Sequence, residues 1–221
     1  MKTAKQGLSH EEVEIQSGNE TLKGDLVLPP NTDAVVIFAH GSGSGRFSPR
    51  NRQVAWTINE AGMGTLLFDL LSEREEAIDA LTAEFRFNIE LLTTRLIAAT
   101  DWILAAKRGC SCTIGYFGAS TGAAAALSAA ARRQAKVGAV VSRGGRPDMA
   151  EPDLGRVKAP TLLIVGGNDP EVLELNRKAY DMITAPKELS VVPGATHLFE
   201  EPGTLEQAAK LASDWFARYL L

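Results

Sequence analysis

Cysteine is scarce in this chain of 221 residues, which contains only Cys110 and Cys112. A single residue separates them, so the two thiols lack easy geometry for a mutual disulfide, and we expect both to be reduced and partly buried. Reduced thiols are typical of a reducing compartment. With so few cysteines, three histidines and no cluster of ligands at metal-binding spacing, we also expect no structural metal.

Long apolar runs and an excess of basic charge are lacking as well. No apolar stretch approaches the roughly 18 residues of a membrane span, and residues 1–6 are not followed by the apolar core of a signal peptide. The net charge of −4 argues against nucleic acid as the main partner, because phosphate binding needs a basic face. We therefore expect a cytoplasmic protein that acts on a small molecule, without membrane or nucleic-acid partners.

Strand-like and helix-like segments alternate along the chain. An antiparallel pair at one edge is predicted over 13–16 and 21–28, with further strands over 34–39, 64–69, 112–117, 137–142, 160–166 and 188–193. Helices are predicted over 49–61, 87–107, 123–133, 172–183 and 204–220. This order predicts one α/β domain over residues 1–221, with a mostly parallel sheet covered by helices on both faces. Sites in such folds lie at the carboxyl ends of the strands.

The most informative motif is the pentapeptide Gly118-Ala119-Ser120-Thr121-Gly122, which lies between a predicted strand and a predicted helix. This context is that of a nucleophile elbow, a sharp turn that exposes a serine hydroxyl above the sheet. Its glycines let neighbouring backbone pass close to a strained position. The motif alone is common in ordinary loops, but here it predicts Ser120 as a nucleophile.

Candidate partners follow Ser120 in the order that the elbow requires, an acid and then a base. Asp169 turns off the end of the 160–166 strand, and His197 follows the 188–193 strand as the only histidine beyond the serine. An imidazole can take the serine proton during attack, and a buried carboxylate fixes the imidazole tautomer. Alternatively, Asp169 only begins a helix and His197 is a loop histidine. The joint agreement of order and strand ends favours a Ser120–His197–Asp169 triad.

A glycine-rich loop, His40-Gly41-Ser42-Gly43-Ser44-Gly45, follows the 34–39 strand. Such a loop supplies one backbone N–H of an oxyanion hole, and the residue after the nucleophile supplies the other. We assign these donors to Ser42 and Thr121, although Gly43 could turn inward instead of Ser42. His40 is predicted to pack under the loop and to bond to backbone.

Two cofactor-binding readings of this loop fail. A dinucleotide-binding pattern would need glycine at position 46, where the chain has Arg46, and no Gly-Lys-Ser/Thr sequence ends the loop as in a P-loop. We therefore expect no cofactor.

Only residues 143–159 connect two predicted strands where larger relatives of this fold insert a helical lid, so we expect an open cleft. Arg143 stands at the carboxyl end of a strand in this connection, and Arg50 follows the glycine-rich loop, beside Arg46 and Arg52. A guanidinium near the site could hold a substrate carboxylate or phosphate. Alternatively, these arginines pair with nearby Asp and Glu or cap helix ends, and both readings stay open.

These motifs together resemble the α/β-hydrolase superfamily and, within it, the small lidless members of the dienelactone-hydrolase-like branch. The resemblance extends from about residue 20 to the C-terminus and implies an α/β-hydrolase fold. Dienelactone hydrolases carry cysteine at the nucleophile position, whereas this chain has Ser120. The chain also resembles hydrolase-like proteins and fused domains that accompany phosphoribosyltransferase-type domains in bacteria.

The resulting hypothesis is a serine hydrolase that cleaves an ester, thioester or lactone of a small metabolite, which is anionic if Arg143 or Arg50 binds it. Acyl transfer to a nucleophile other than water would use the same groups. A catalytically idle hydrolase scaffold that binds a ligand or partner is the alternative from another class. An intact triad favours the enzyme, because an idle scaffold has no physical need for all three groups.

Overall fold

A computed structural model describes residues 7–106 and 112–221. Eight strands form one sheet in the order β1-β2-β4-β3-β5-β6-β7-β8. The strands are β1 Ser9–Ser17, β2 Glu20–Leu28, β3 Ala34–Ala39, β4 Gly64–Phe68, β5 Thr113–Ala119, β6 Val137–Arg143, β7 Thr161–Gly166 and β8 Lys187–Val192. β2 pairs antiparallel with both β1 and β4, and all the other neighbours are parallel. The predicted antiparallel edge and mostly parallel sheet are confirmed.

Helices cover both faces of this sheet. They are α1 Pro49–Glu60, α2 Glu73–Thr82, α3 Ile89–Ala106, α4 Thr121–Arg132, α5 Glu151–Leu154, α6 Pro170–Met182 and α7 Thr204–Leu220. Helices α1 and α7 pack on one face, while α3, α4 and α6 pack on the other. Among the helices of the described residues, none combines the length and apolarity needed to cross a bilayer.

Strand β3 is apolar at every position because both of its faces are buried. Val35, Ile37 and Ala39 lie in the core on the α3 and α4 side, whereas Val36 and Phe38 lie in the core on the α1 and α7 side. A strand with helices on both faces therefore shows a continuous apolar run instead of alternation. The alanines of α4 are also buried, as expected for close packing of helix on sheet.

The connection between β6 and β7 contains only a 3₁₀ turn, Pro147–Ala150, and the short helix α5. The fold therefore carries no large lid, as predicted. Helix α2 was not predicted, and α3 begins at Ile89, two residues after the predicted start at Phe87. Cys110 and Lys107 lie outside the described residues, and Cys112 is half-buried just before β5.

Candidate active site

Ser120 occupies the turn between β5 and α4 with a left-handed backbone, φ 51° and ψ −121°. A side chain rarely adopts this conformation, so the turn is strained in the manner of a nucleophile elbow. The turn is held by its neighbours, because the Ser120 N–H donates to the carbonyl of Arg143 at 3.2 Å. In return, the Ser120 carbonyl accepts the N–H of Arg146 at 3.1 Å.

The two glycines of the motif are required by close packing around the turn. A Cβ on Gly118 would lie 2.4 Å from the Cα of Ala123, and one on Gly122 would lie 2.1 Å from the carbonyl oxygen of Ala39. Both distances are too short for any side chain. Gly122 therefore lets the end of β3 pass directly beneath the start of α4, which brings the glycine-rich loop to Ser120.

Asp169 and His197 meet in the structure. Nδ1 of His197 lies 2.7 Å from Oδ2 of Asp169. The carboxylate is largely buried and the imidazole is partly exposed. Asp169 begins α6, but its side chain does not cap the helix, and it is directed to the imidazole instead. The reading of Asp169 as a simple helix cap therefore fails.

Backbone hydrogen bonds join the two loops that carry this pair. The N–H of Asn168 donates to the carbonyl of Ala195 at 2.9 Å, and its side-chain amide donates to the carbonyl of Gly194 at 3.0 Å. On the other side, the carboxylate of Glu201 accepts both the N–H and the hydroxyl of Thr196, at 3.0 and 2.6 Å. These contacts fix the backbone on either side of His197.

Ser120 and His197 line a common pocket of about 200 Å³, together with Ser42, Arg50 and Arg143. The pocket lies at the carboxyl ends of the parallel strands, as predicted. It adjoins a larger open cleft of about 890 Å³ between the glycine-rich loop and α2, with which it shares Ser42, Ser44, Ser48 and Arg50. A small reacting group fits the pocket, and the cleft leaves room for the rest of a molecule.

The predicted oxyanion donors Ser42 and Thr121 are in direct contact. The backbone N–H of Ser42 donates to the side-chain hydroxyl of Thr121 at 2.9 Å. Thr121 is the first residue of α4, whose leading N–H groups have no partner within the helix. Gly43 has a positive φ of 69°, and no atom lies within 4 Å of the position that a Cβ would take there. The loop therefore presents Ser42 toward the elbow, with its N–H already hydrogen-bonded.

His40 is a structural residue, as predicted. Its ring is buried, Nδ1 lies 2.9 Å from the carbonyl of Gly41, and Nε2 accepts the N–H of Leu70 at 3.0 Å. This pattern requires the neutral ring with its proton on Nδ1. Burial lowers the pKa of His40, against opposing effects of the Gly41 carbonyl and Asp69. The imidazole thus ties the glycine-rich loop to the end of β4.

Arg143 is buried at the end of β6, with only 7% of its surface exposed, and lines the pocket. Within residues 7–106 and 112–221, no carboxylate pairs with it. Nε and Nη1 of the guanidinium have no hydrogen-bond partner in this part of the chain, and Cζ lies 5.5 Å from the centre of the Phe199 ring. Burial, with a smaller effect of Arg50, lowers the pKa of Arg143 to about 10, so the group is charged at neutral pH.

The other arginines near the loop are paired. Arg46 contacts Asp69 at 2.8 Å, and Arg52 contacts Asp25 at 3.4 Å. Arg50 lines the pocket and donates to Glu200 at 3.0 Å, across the rim that carries His197. Acidic neighbours therefore account for Arg46 and Arg52. Arg50 combines a surface ion pair with a place in the pocket.

Asn51 was not predicted as a site residue, but it lines the pocket from the first turn of α1. Asn51 is only 2% exposed, and its Oδ1 has no hydrogen-bond partner in the described residues. The sequence predicted only a helix beginning at Pro49, and a polar residue is ordinary in the first turn of a helix. Only the burial of its amide distinguishes Asn51 from the other polar residues of this turn.

Solved structures similar to this one include esterases and hydrolases. A dienelactone hydrolase from Anabaena variabilis is 51% identical, with a TM-score of 0.94 over 97% of this chain and 99% of that chain. The esterase PF2001 of Pyrococcus furiosus is 18% identical, with a TM-score of 0.76 over 97% of this chain and 92% of that chain, and so supports the fold alone.

Curated relatives from two strains of Mycobacterium tuberculosis are 56% identical over 213 residues, and their names describe phosphoribosyl transferases. The match covers 96% of this chain but 47% of each relative, so the chain spans about half their length. The sequence pattern of the dienelactone hydrolase family matches residues 22–220. The chain therefore belongs to the dienelactone hydrolase family.

Proposed function

We propose that this protein is a serine hydrolase that cleaves an ester, thioester or lactone of a small anionic metabolite. The observation that carries the proposal is the 2.7 Å contact between His197 Nδ1 and Asp169 Oδ2, beside the pocket that both His197 and Ser120 line. Membership of a hydrolase family supports the reaction class.

In the proposed reaction, Nδ1–H of His197 donates to Asp169, which leaves Nε2 as the base that takes the Ser120 proton. Ser120 Oγ attacks the carbonyl carbon, and the oxyanion forms near the first N–H groups of α4. His197 returns the proton to the leaving group, and an acyl-enzyme remains. Water activated by the same imidazole then releases the acid and restores Ser120.

Arg143 supports an anionic substrate. Its guanidinium is buried, and Nε and Nη1 have no hydrogen-bond partner among the described residues. Such an arrangement is costly, because a buried charge without partners loses its hydration. A carboxylate or phosphate in the pocket would supply the missing acceptors in the paired geometry that guanidinium favours. Arg50, at the rim of the same pocket, adds a second positive charge.

The names of the mycobacterial relatives describe a phosphoribosyl transferase, but this chain matches only 47% of their length. We therefore take the reaction class from the dienelactone hydrolase family match over residues 22–220. Acyl transfer to an alcohol or amine would use the same acyl-enzyme, and the open cleft could admit such an acceptor.

Labelling with a fluorophosphonate probe tests the nucleophile. We expect a single covalent adduct on Ser120, absent in Ser120→Ala, and a loss of ester turnover of about 10⁶-fold. Asp169→Asn should lower turnover by about 10⁴-fold, because the imidazole tautomer changes. Ser190→Ala, on β8 outside the pocket, serves as the control and should label normally. An adduct that persists in folded Ser120→Ala would overturn the assignment.

A further inference from the structure

Among the described residues, two buried side chains of the pocket have polar atoms without hydrogen-bond partners, and the atoms differ in kind. Nε of the half-buried Arg50 also lacks a partner there. Arg143 offers Nε and Nη1, which can only donate hydrogen bonds, whereas Asn51 offers Oδ1, which can only accept. Both side chains line the same pocket of about 200 Å³ as Ser120. At 7% and 2% exposure, neither side chain can rely on bulk water.

Local structure fixes the position of Asn51. Its backbone N–H donates to the hydroxyl of Ser48, which caps α1, at 3.4 Å, and the side chain has little surface through which to turn outward. An apolar residue would fill the site at lower cost, because a buried amide without a partner costs the full penalty of its desolvation. The polar side chain is therefore best explained by a ligand that bonds to it.

The two side chains together specify the chemistry of that ligand. Arg143 requires an anionic acceptor, and Asn51 Oδ1 requires a hydrogen-bond donor in the same small volume. The donor is best uncharged, since an ammonium group would lie beside Arg143 and near Arg50. We propose that the pocket recognises a hydroxy carboxylate, with its carboxylate on Arg143 and its hydroxyl on Asn51.

This inference deepens the proposed function and rests on it for the statement that the hydroxy carboxylate is part of the substrate. Binding can nevertheless be measured without turnover. The folded Ser120→Ala protein is titrated calorimetrically with lactate, propanoate and alanine. A second pair, 3-hydroxybutanoate and its deoxy partner butanoate, is titrated in the same way. We expect each hydroxy acid to bind roughly tenfold or more tightly than its deoxy partner, because only the hydroxyl satisfies Asn51. Alanine should bind no better than propanoate.

Two changes at Asn51, each combined with Ser120→Ala, identify its contribution. Asn51→Leu keeps the volume and removes the acceptor, so the preference for the hydroxy acids should fall to about onefold, while propanoate still binds. Asn51→Asp places a carboxylate beside Arg143, so the binding of all these acids should weaken strongly. If the Leu variant does not fold by circular dichroism, the Asp variant still decides, because unchanged binding in it contradicts the proposal.

Other outcomes overturn the inference directly. These are equal binding of hydroxy and deoxy acids, a preference that survives in folded Asn51→Leu, or no binding of any of the acids at millimolar concentrations. Tighter binding of alanine than of lactate would show that the pocket recognises an amino group and not a hydroxyl. Failure of the proposed function is a separate result, since it would remove fluorophosphonate labelling of Ser120 and leave the binding ratios unchanged.

Discussion

The side-chain hydroxyl of Thr121 accepts the backbone N–H of Ser42 at 2.9 Å. This contact joins the start of α4 to the glycine-rich loop after β3, across the face of the elbow. It positions the loop before any substrate binds. It also occupies the N–H proposed as an oxyanion donor, so the developing oxyanion must share or displace the hydroxyl.

The Thr121 hydroxyl should therefore matter to catalysis more than to folding. We expect Thr121→Ala to lower kcat by roughly 10-fold to 100-fold, because the loop loses its anchor while the backbone N–H of residue 121 remains. Thr121→Ser keeps the acceptor and should stay within a few-fold of the wild type. Wild-type or higher kcat in Thr121→Ala would show that the hydroxyl only blocks the Ser42 N–H.

Gly122 should be essential for the fold. A methyl group there would lie 2.1 Å from the carbonyl oxygen of Ala39, which is backbone that cannot yield without moving β3. We expect Gly122→Ala to lower the free energy of unfolding by about 3 kcal/mol or more in urea titrations. Gly155→Ala is the matched control, since Gly155 has a helical φ of −67° and no atom closer than 3.9 Å to the added Cβ. Equal unfolding midpoints for the two variants would contradict this reading.

Secondary-structure elements could be predicted where the burial of their residues follows from the local sequence alone. A strand with helices on both faces needs apolar residues throughout, and β3 and β7 supply such runs. Helix α2 escaped prediction because Leu81 faces solvent and the helix depends on polar contacts. The Ser72–Glu75 capping box begins it, but the partners of Glu75 and Asp79 are arginines further along the chain, Arg95 and Arg86.

The same distinction applies to the candidate site. The convergence of Ser120, Asp169 and His197 at one edge of the sheet could be predicted because parallel strands bring their carboxyl ends together. Which arginine has no acidic partner in the described part of the chain could not be predicted, since that depends on acidic residues from distant segments, such as Asp25 and Glu200. Asn51 was missed for a related reason, because its burial arises from the packing of α1 against the site.

His40 should make the stability of the protein depend on pH. Burial lowers the pKa of His40 in the folded state, whereas the unfolded imidazole titrates near its usual value of about 6.5. The unfolded state therefore binds more protons, and the free energy of unfolding should fall as pH decreases from about 6.5 through the lowered folded pKa.

Urea unfolding between pH 7.5 and pH 5 measures this slope. We expect a shallower slope in His40→Gln, together with lower stability at pH 7.5 because the bond to the Leu70 N–H is disturbed. An unchanged slope in His40→Gln would assign the acid sensitivity to other groups.

Arg143 and Arg50 should contribute unequally to the recognition of substrate charge. Arg143 is buried and has no carboxylate partner in the described part of the chain, whereas Arg50 is more exposed and already pairs with Glu200. For an anionic ester, Arg143→Gln should lower kcat/KM by about 2 to 4 kcal/mol, or roughly 30-fold to 1000-fold, as for one partner of a buried charge pair. A neutral ester of similar size should lose much less. Arg50→Gln should give a smaller loss in the same direction. Arg156→Gln changes an exposed arginine that pairs with Asp153 and should give none. Equal losses on both esters with a lowered Tm in Arg143→Gln would instead identify Arg143 as a support for the loop that follows β6 and contacts the elbow.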